Sequence, residues 1–153
     1  MIFSKTTEYA LRIMSYMAVN EKKLHSANDI YENLRIPFRY LRKQLTFLSK
    51  SELITSVQGK NGGYRISKNL NEISLLDITR ATGSDQINNE CFFGFQSCAF
   101  EKKCALHYKW EVVIESINNV LISTTLEELK NSGTPDCISK NSLILTLKSA
   151  KSY

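Results

Sequence analysis

Proline and glycine are scarce in this chain, with only two and six among its 153 residues. Both types stand where turns are expected, so the composition excludes a disordered chain rich in proline and glycine. Apolar residues make up 42% of the sequence, which is enough for a packed core. These figures predict one domain of ordinary size, or a small domain with an appendage.

Long apolar runs are also missing. A membrane-spanning helix needs about 20 consecutive apolar residues, and no stretch of this sequence approaches that length. The apolar segment near the start is interrupted by Glu8 and Arg12, and no small-residue cleavage site of a secretory signal follows it. We therefore expect a cytoplasmic protein with no membrane partner, whose cysteines do not form structural disulfides in that reducing compartment.

The usual signatures of a small redox enzyme are absent as well. The sequence has no Cys-x-x-Cys motif, no glycine-rich phosphate-binding loop and no acid–base pair in a recognisable setting. A redox enzyme or electron carrier is therefore the least favoured function, and we expect that the protein is not an enzyme.

Charge is unevenly distributed along the chain. Residues 1–70 carry 12 lysines and arginines against 5 acidic residues, whereas the remainder carries 8 against 10, within a net charge of +5. A basic half beside a mildly acidic half predicts a polyanionic partner for the first half only. A solvated basic surface is the alternative interpretation.

The hydrophobic pattern predicts a mainly α fold with a small β-ribbon. Apolar residues recur at helical spacing over 4–20, over a short segment that Ser26 caps, and over 37–50. Two short strands follow at 53–57 and 64–67, joined by a glycine-rich turn. Three helices followed by a β-ribbon is the order of a winged helix-turn-helix. The buried stripe of the second helix is expected to consist of Ala27, Ile30, Tyr31 and Leu34.

A fourth helix is predicted over 74–82, with Ser74 and Asp77 as capping partners. A long apolar stripe over 104–130, interrupted near Thr124, predicts a helix that needs a partner, and a second copy of the same helix is the economical one. The predicted division is a winged helix-turn-helix domain (1–83), a cysteine-rich loop (84–103), a dimerisation helix (104–130) and a tail of uncertain structure (131–153).

The third helix has the features of a DNA recognition helix. Arg39, Arg42 and Lys43 are spaced i, i+3 and i+4, so all three face the same side. Arginine pairs with guanine edges or phosphates, and lysine supplies charge to phosphates. Pro37 and Phe38 stand at the helix start, where helix-turn-helix proteins approach bases. The ribbon adds polar groups at its tip, where glycines would let the backbone approach a phosphate strand.

Three cysteines and a histidine lie within seventeen residues, in the pattern Cys91-x6-Cys98-x5-Cys104-x2-His107. Thiolates and imidazole suit zinc, copper(I) or an iron–sulfur cluster. Zinc is the serious rival, although typical zinc sites use shorter Cys-x2–4-Cys spacings. A soft-metal loop that follows a DNA-binding domain suggests a transcription factor with a sensory function.

Several of these segments together resemble the Rrf2 family of bacterial transcription regulators. The segments are 7–12, Tyr40-Leu41-Arg42-Lys43, Gly62-Gly63-Tyr64-Arg65-Ile66, the three-cysteine loop and 125–129. The resemblance covers about residues 1–130 and implies a homodimer with crossed long helices that binds a palindromic operator in double-stranded DNA. The residues then expected to contact DNA are Pro37, Phe38, Arg39, Tyr40, Arg42, Lys43, Gln58, Gly59, Lys60, Asn61, Gly62, Gly63 and Arg65.

The resemblance also implies an iron–sulfur cluster held by Cys91, Cys98, Cys104 and a fourth ligand. His107 matches the ligand of members that hold a [2Fe–2S] cluster, and Glu8 matches the carboxylate, supplied by the other subunit, of members that hold [4Fe–4S]. We favour His107 and [2Fe–2S], because imidazole is the better-attested ligand for that cluster. For Glu8 the alternative is an ordinary helical ion pair with Arg12.

Two departures from the family pattern are visible. The first cysteine gap has six residues rather than the commoner five, and Gln58 stands where an arginine is common. The expected function is regulation of transcription through a cluster that senses redox state, nitric oxide or iron–sulfur status. A zinc-stabilised or cluster-free thiol-switch regulator of the same fold is the alternative. Cys137 is expected to be a bystander.

Overall fold

A computed structural model describes residues 3–83, 91–93 and 103–132. Most of the expected cysteine loop, including Cys98, and the tail with Cys137 lie outside the described residues. The helices are α1 (Lys5–Val19), α2 (Ala27–Leu34), α3 (Phe38–Lys50), α4 (Leu75–Ala81), α5 (His107–Ser123) and α6 (Leu126–Asn131), with a 3₁₀ turn at Leu70–Glu72. The strands are β1 (Ile54–Val57) and β2 (Gly63–Ile66).

The expected winged helix-turn-helix order is confirmed. Three helices precede a two-stranded antiparallel ribbon in which Ile54 pairs with Ile66 and Val57 with Gly63. The ribbon is the only sheet in the described part of the chain. The fold class is therefore mainly α with a small β-ribbon.

One apolar core joins the three N-terminal helices to the ribbon and to α6. The helical spacing of its members in α1 and α3 matches the periodicity in the sequence, so each helix has one inward stripe. The fully buried core residues of these two helices are Ala10, Ile13, Met14, Met17, Ala18, Leu41, Leu45 and Leu48. Gln44 is also fully buried on α3, and within the described residues its amide has no hydrogen-bond partner.

Side-chain caps start four of the helices, beginning with Ser4, which accepts from the Thr7 N–H at the start of α1. The Ser26 hydroxyl accepts a hydrogen bond from the Asp29 backbone N–H at 3.0 Å. Ser74 and Asp77 cap each other's backbone N–H groups, at 3.2 and 2.9 Å, as the sequence predicts. Thr125 begins α6 with a similar reciprocal cap. Each cap satisfies backbone donors that a helix start leaves without intrahelical partners.

The long C-terminal helix ends where its pattern was expected to break. α5 stops at Ser123, and α6 begins at Leu126 after an extended link. The Leu75 N–H donates to the Thr124 carbonyl at 3.0 Å, and the Leu126 N–H donates to the Ile73 carbonyl at 3.0 Å. Leu126 is fully buried, and α6 packs on α1. The chain therefore returns to the N-terminal domain after α5. No helix among the described residues is long and apolar enough to cross a membrane.

Replacing Ser74 with alanine removes the acceptor for the Asp77 N–H. We expect Ser74→Ala to lower the free energy of unfolding by about 1 kcal/mol, measured by urea denaturation. The control Thr46→Ala removes an exposed mid-helix hydroxyl of α3 and is expected to change the value by less than about 0.5 kcal/mol. An unchanged value for Ser74→Ala would contradict a stabilising role for the cap.

Candidate functional site

The outward face of α3 is polar and positive. Arg39, Arg42 and Lys43 are exposed, whereas Leu41 and Leu45 on the opposite side are buried. Among the described residues, no ion pair uses any of these three cations. Their charge is therefore not neutralised by a described acidic side chain, and the helix can present it to an anionic partner.

The turn between α2 and α3 sets where α3 begins. The Arg35 N–H donates to the Tyr31 carbonyl at 2.8 Å, and Arg35 adopts a left-handed backbone with φ 53°. Pro37 then occupies the N-cap position of α3. A left-handed backbone is uncommon for a residue other than glycine and has a conformational cost. The exposed Arg35 side chain adds a positive charge beside α3.

One prediction for this turn is wrong. Tyr31 was expected in the buried stripe of α2, but its side chain is exposed. Ile30 and Leu34 are buried four residues apart, and Tyr31 lies about 100° around the helix from Ile30. Its ring instead contacts Phe38, with 5.9 Å between ring centroids. Tyr31 and Arg35 are thus surface residues beside α3 that are not among the expected DNA contacts.

The wing is the hairpin of β1, β2 and the turn between them. The side chains of Gln58, Lys60, Asn61 and Arg65 are all exposed, as DNA contacts would require. Gly63 has a packing reason to be glycine, because a Cβ there would come within 2.6 Å of the His25 carbonyl oxygen. That close approach forms a β-bridge in which His25 and Tyr64 exchange two backbone hydrogen bonds of 2.8 Å.

The bridge residue His25, which is fully buried, belongs to a partly exposed polar cluster centred on Asp29. The Asp29 Oδ2 atom lies 3.1 Å from Lys23 Nζ, 3.2 Å from His25 Nδ1 and 3.2 Å from the Tyr16 hydroxyl. Burial opposes ionisation of Asp29, but hydrogen bonds from Lys23 and His25 hold the pKa of its carboxyl below the usual value. Burial, followed by the Asp29 charge, raises the pKa of Tyr16 to about 12. The cluster holds the connector between α1 and α2 in place. This connector is hydrogen-bonded to the wing through His25 and Tyr64.

Two of the three predicted cysteine ligands lie within the described residues. Cys91 and Cys104 are both free thiols and are half-buried. The His107 N–H donates to the Cys104 carbonyl at 3.0 Å, so a tight turn places both residues at the start of α5. The Phe92 ring packs edge-on against Trp110 of α5, with 5.1 Å between centroids. This contact brings the segment that contains Cys91 to the same end of α5.

Cys98 lies outside the described ranges, and within those ranges Cys91, Cys104 and His107 do not form a group of three side chains placed to hold a metal ion. The donor types nevertheless suit a soft metal centre, since Cys91 and Cys104 are free thiols and His107 adds an imidazole in the same turn as Cys104. Iron–sulfur clusters are ligated by cysteine thiolates, with histidine as an attested substitute.

Glu8, the alternative fourth ligand, has a partner in α1. Lys5 Nζ lies 2.7 Å from Glu8 Oε2. The hydrogen bond from Lys5 lowers the pKa of Glu8, and Arg12 contributes as a more distant charge. The ordinary ion pair expected for Glu8 thus forms with Lys5, three residues earlier, rather than with Arg12.

The Rrf2 family model, described as an iron-dependent transcriptional regulator, matches residues 3–132. The chain belongs to the Rrf2 family. An HTH-type transcriptional regulator of Aquifex aeolicus is 32% identical over 133 residues, which are 86% of this chain and 92% of that protein. The regulator NsrR of Oceanobacillus iheyensis is 30% identical, covering 84% and 89% of the two chains. The regulator IscR of Pectobacterium atrosepticum is 34% identical, covering 67% and 62%.

Solved structures have the same fold as this Rrf2 protein. CymR, the global cysteine regulator of B. subtilis, superposes with a TM-score of 0.71 at 24% identity, covering 85% of this chain and 96% of that one. The oxidized form of Staphylococcus aureus CymR gives a TM-score of 0.65 at 26% identity, covering 83% and 94%. The resemblance inferred from the sequence is confirmed, and this Rrf2 protein is a DNA-binding transcriptional regulator rather than an enzyme.

Arg42 provides the sharpest test of the α3 surface. We expect Arg42→Ala to weaken binding to a duplex selected by the wild-type Rrf2 protein, by roughly tenfold, the loss typical of one arginine contact. Fluorescence anisotropy at fixed salt measures the change. Lys130→Ala removes a lysine of α6 that pairs with Glu21 and serves as the control, with little change expected. Equal affinities for the Arg42 variant and the wild type would exclude this surface as the contact face.

Proposed function

We propose that the protein binds a palindromic operator as a homodimer, with an affinity set by an iron–sulfur cluster that responds to redox state, nitric oxide or iron–sulfur status. Cys91, Cys98, Cys104 and His107 would hold the cluster, preferably as [2Fe–2S]. The observation that carries the proposal is that Cys104 and His107 share one turn at the start of α5, while Phe92, the neighbour of Cys91, packs on Trp110 of the same helix.

The choice of ligand rests on the described contacts. His107 shares the turn of Cys104, whereas Glu8 is engaged by Lys5 at 2.7 Å. We keep His107 as the fourth ligand, because it shares the turn of Cys104 and imidazole is an attested cluster ligand, and we keep Glu8, with [4Fe–4S], as its alternative. The descriptions of the family as iron-dependent and of relatives as NsrR and IscR agree with a cluster-bearing regulator.

α5 supplies a physical route from the ligands to the DNA-binding domain. Its 17 residues form a helix roughly 25 Å long, at 1.5 Å per residue. Its start carries His107, and its end is joined to the domain through the Thr124–Leu75 and Ile73–Leu126 hydrogen bonds. A bound iron–sulfur cluster would supply a chemical group that reacts with oxidants and with nitric oxide. A displacement of residues 104–107 would tilt α5 and so change the spacing of two DNA-binding domains.

That spacing matters because half-sites of a palindrome lie about one helical turn apart, roughly 34 Å.

The dimer is supported by the apolar residues that α5 leaves exposed in a single chain. Val113 and Val120 lie seven residues apart on one face of the helix and are 43% and 57% exposed. A second copy of α5 would cover them.

The proposed interface can be tested by charge insertion. We expect Val120→Asp to convert the dimer into a monomer in sedimentation velocity experiments, because burying an unpaired carboxylate costs several kcal/mol. The control Asn131→Asp adds the same charge at an exposed position of α6 and is expected to leave the dimer intact. A dimer that survives both Val120→Asp and Val113→Asp would overturn the proposed role of this face.

The proposed cluster predicts a coloured protein. We expect protein purified without oxygen to absorb in the visible range and to contain iron and sulfide, and we expect Cys91→Ser, Cys98→Ser and Cys104→Ser each to lose both. The control Cys137→Ser changes a cysteine outside the predicted ligand set and is expected to keep the colour. A colourless wild-type protein with stoichiometric zinc would overturn the cluster proposal.

The ligand variants extend the same experiment. His107→Ala is expected to change the Mössbauer spectrum of the bound iron, whereas Glu8→Gln is expected to leave it as in the wild type. If Glu8→Gln changed the spectrum and His107→Ala did not, Glu8 would be the fourth ligand. In DNA binding, the wild type should respond to exposure to air and the serine variants should not.

A thiol switch without a cluster is the second candidate function. It is favoured by the similarity to CymR, which has been solved in an oxidized form, and by the free thiols of Cys91 and Cys104. Metal and sulfide analysis of the anaerobic protein separates the two candidates, because a thiol switch requires neither iron nor sulfide.

A further inference from the structure

Two aromatic side chains are exposed together at the start of the recognition helix. Phe38 is the first residue of α3 and is 41% exposed, and Tyr31 of α2 is 38% exposed. Their ring centroids are 5.9 Å apart, and their planes are inclined at 77°. This edge-to-face arrangement is one that aromatic pairs prefer, so the Phe38 ring has a supported position on the surface.

The turn beneath the pair fixes where the two rings stand. The Tyr31 carbonyl accepts the Arg35 N–H that ends α2. Ile36 is buried and holds the middle of the turn in the core. Pro37 restricts the backbone just before Phe38. A ring supported in this way loses little conformational freedom on binding, which favours its use as a contact.

The surroundings of the pair indicate the chemistry of its partner. Phe38 is not a member of the apolar core cluster, and the exposed cations Arg35 and Arg39 flank it in the sequence. These charges favour a partner that is anionic overall, yet the ring itself needs an apolar group. Duplex DNA offers both, because its phosphates are anionic and the thymine 5-methyl group is the apolar feature of the major groove.

We propose that Phe38 determines specificity by packing its ring on thymine methyl groups in the major groove, with Tyr31 as the positioning residue behind it. The inference rests on the proposed operator binding through α3. The first residues of a recognition helix contact base edges. Phe38 has no side-chain hydrogen-bonding atom, so it distinguishes thymine from cytosine by the methyl group rather than by a polar contact.

The test removes that methyl group alone. The full-length protein, purified without oxygen, first selects duplexes from a random library through repeated rounds of binding. Each thymine of the enriched duplex is then replaced singly by deoxyuridine, which keeps the base pair and the O4 acceptor. Fluorescence anisotropy measures affinity for each duplex. We expect at least one substitution per half-site to weaken wild-type binding about fourfold, the effect of one buried methyl group.

The variants assign the effect to the aromatic pair. Phe38→Ala is expected to bind the thymine and deoxyuridine duplexes equally, and Phe38→Leu, which keeps an apolar group, should restore part of the discrimination. Tyr31→Ala should reduce the discrimination, and Tyr31→Phe should retain it. The control Val19→Ala changes an apolar residue of similar exposure, 39%, at the end of α1, and should discriminate like the wild type. Thermal unfolding confirms that each variant is folded.

The outcomes separate this inference from the function on which it rests. If no duplex is enriched, operator binding fails and the inference fails with it. If a duplex is enriched but no deoxyuridine substitution alters wild-type affinity, the inference alone is overturned. It is also overturned if Phe38→Ala, folded and bound, discriminates as strongly as the wild type.

Discussion

Burial of one face of α3 is the constraint on which the exposed cationic surface of this helix depends. Each of Leu41, Leu45 and Leu48 is almost fully buried, and burying a leucine contributes roughly 2 kcal/mol. Like charges spaced three or four residues apart on a helix repel by only a few tenths of a kcal/mol. The core therefore determines the orientation of α3, and Arg39, Arg42 and Lys43 are held outward together despite their mutual repulsion.

The second constraint is the junction of α5 with the N-terminal domain. Two backbone hydrogen bonds join residues 73–75 to residues 124–126, and Leu126 is buried in the same core as α1 and α3. The other end of α5 carries Cys104 and His107. A single helix thus has one end in the DNA-binding domain and the other at the proposed ligand site. Rigid-body movement of packed elements is one of the known ways in which distant sites are coupled.

Local patterns in the sequence predicted most of the fold. Apolar periodicity located the helices, the Ser74–Asp77 spacing predicted a cap that forms, and the interruption near Thr124 predicted the end of α5. The failures involve contacts that spacing does not encode. Tyr31 lies at the border of the apolar stripe of α2, and only the adjacent α3 decides that its ring covers Phe38 rather than the core. Glu8 had two basic neighbours at helical distance, and side-chain geometry selects Lys5.

The candidate sites were predictable to different degrees. The donor types and the cationic stripe are visible in the sequence, since they depend on residue identity and short spacing. The Phe92–Trp110 contact that brings Cys91 to α5, and the bond between His25 and Tyr64, join segments that are far apart in the chain. Tertiary packing decides such contacts, and a single sequence does not reveal them.

The bridge between His25 and Tyr64 has a consequence for how wings can be exchanged between relatives. The ribbon is hydrogen-bonded to the connector that follows α1, and Gly63 allows the two backbones to meet. A wing transferred alone would be placed against the connector of another protein and would lose the backbone pairing that His25 and Tyr64 make here. The unit to transfer in engineering is accordingly the whole of residues 20–67, which keeps the connector, α3 and the ribbon together.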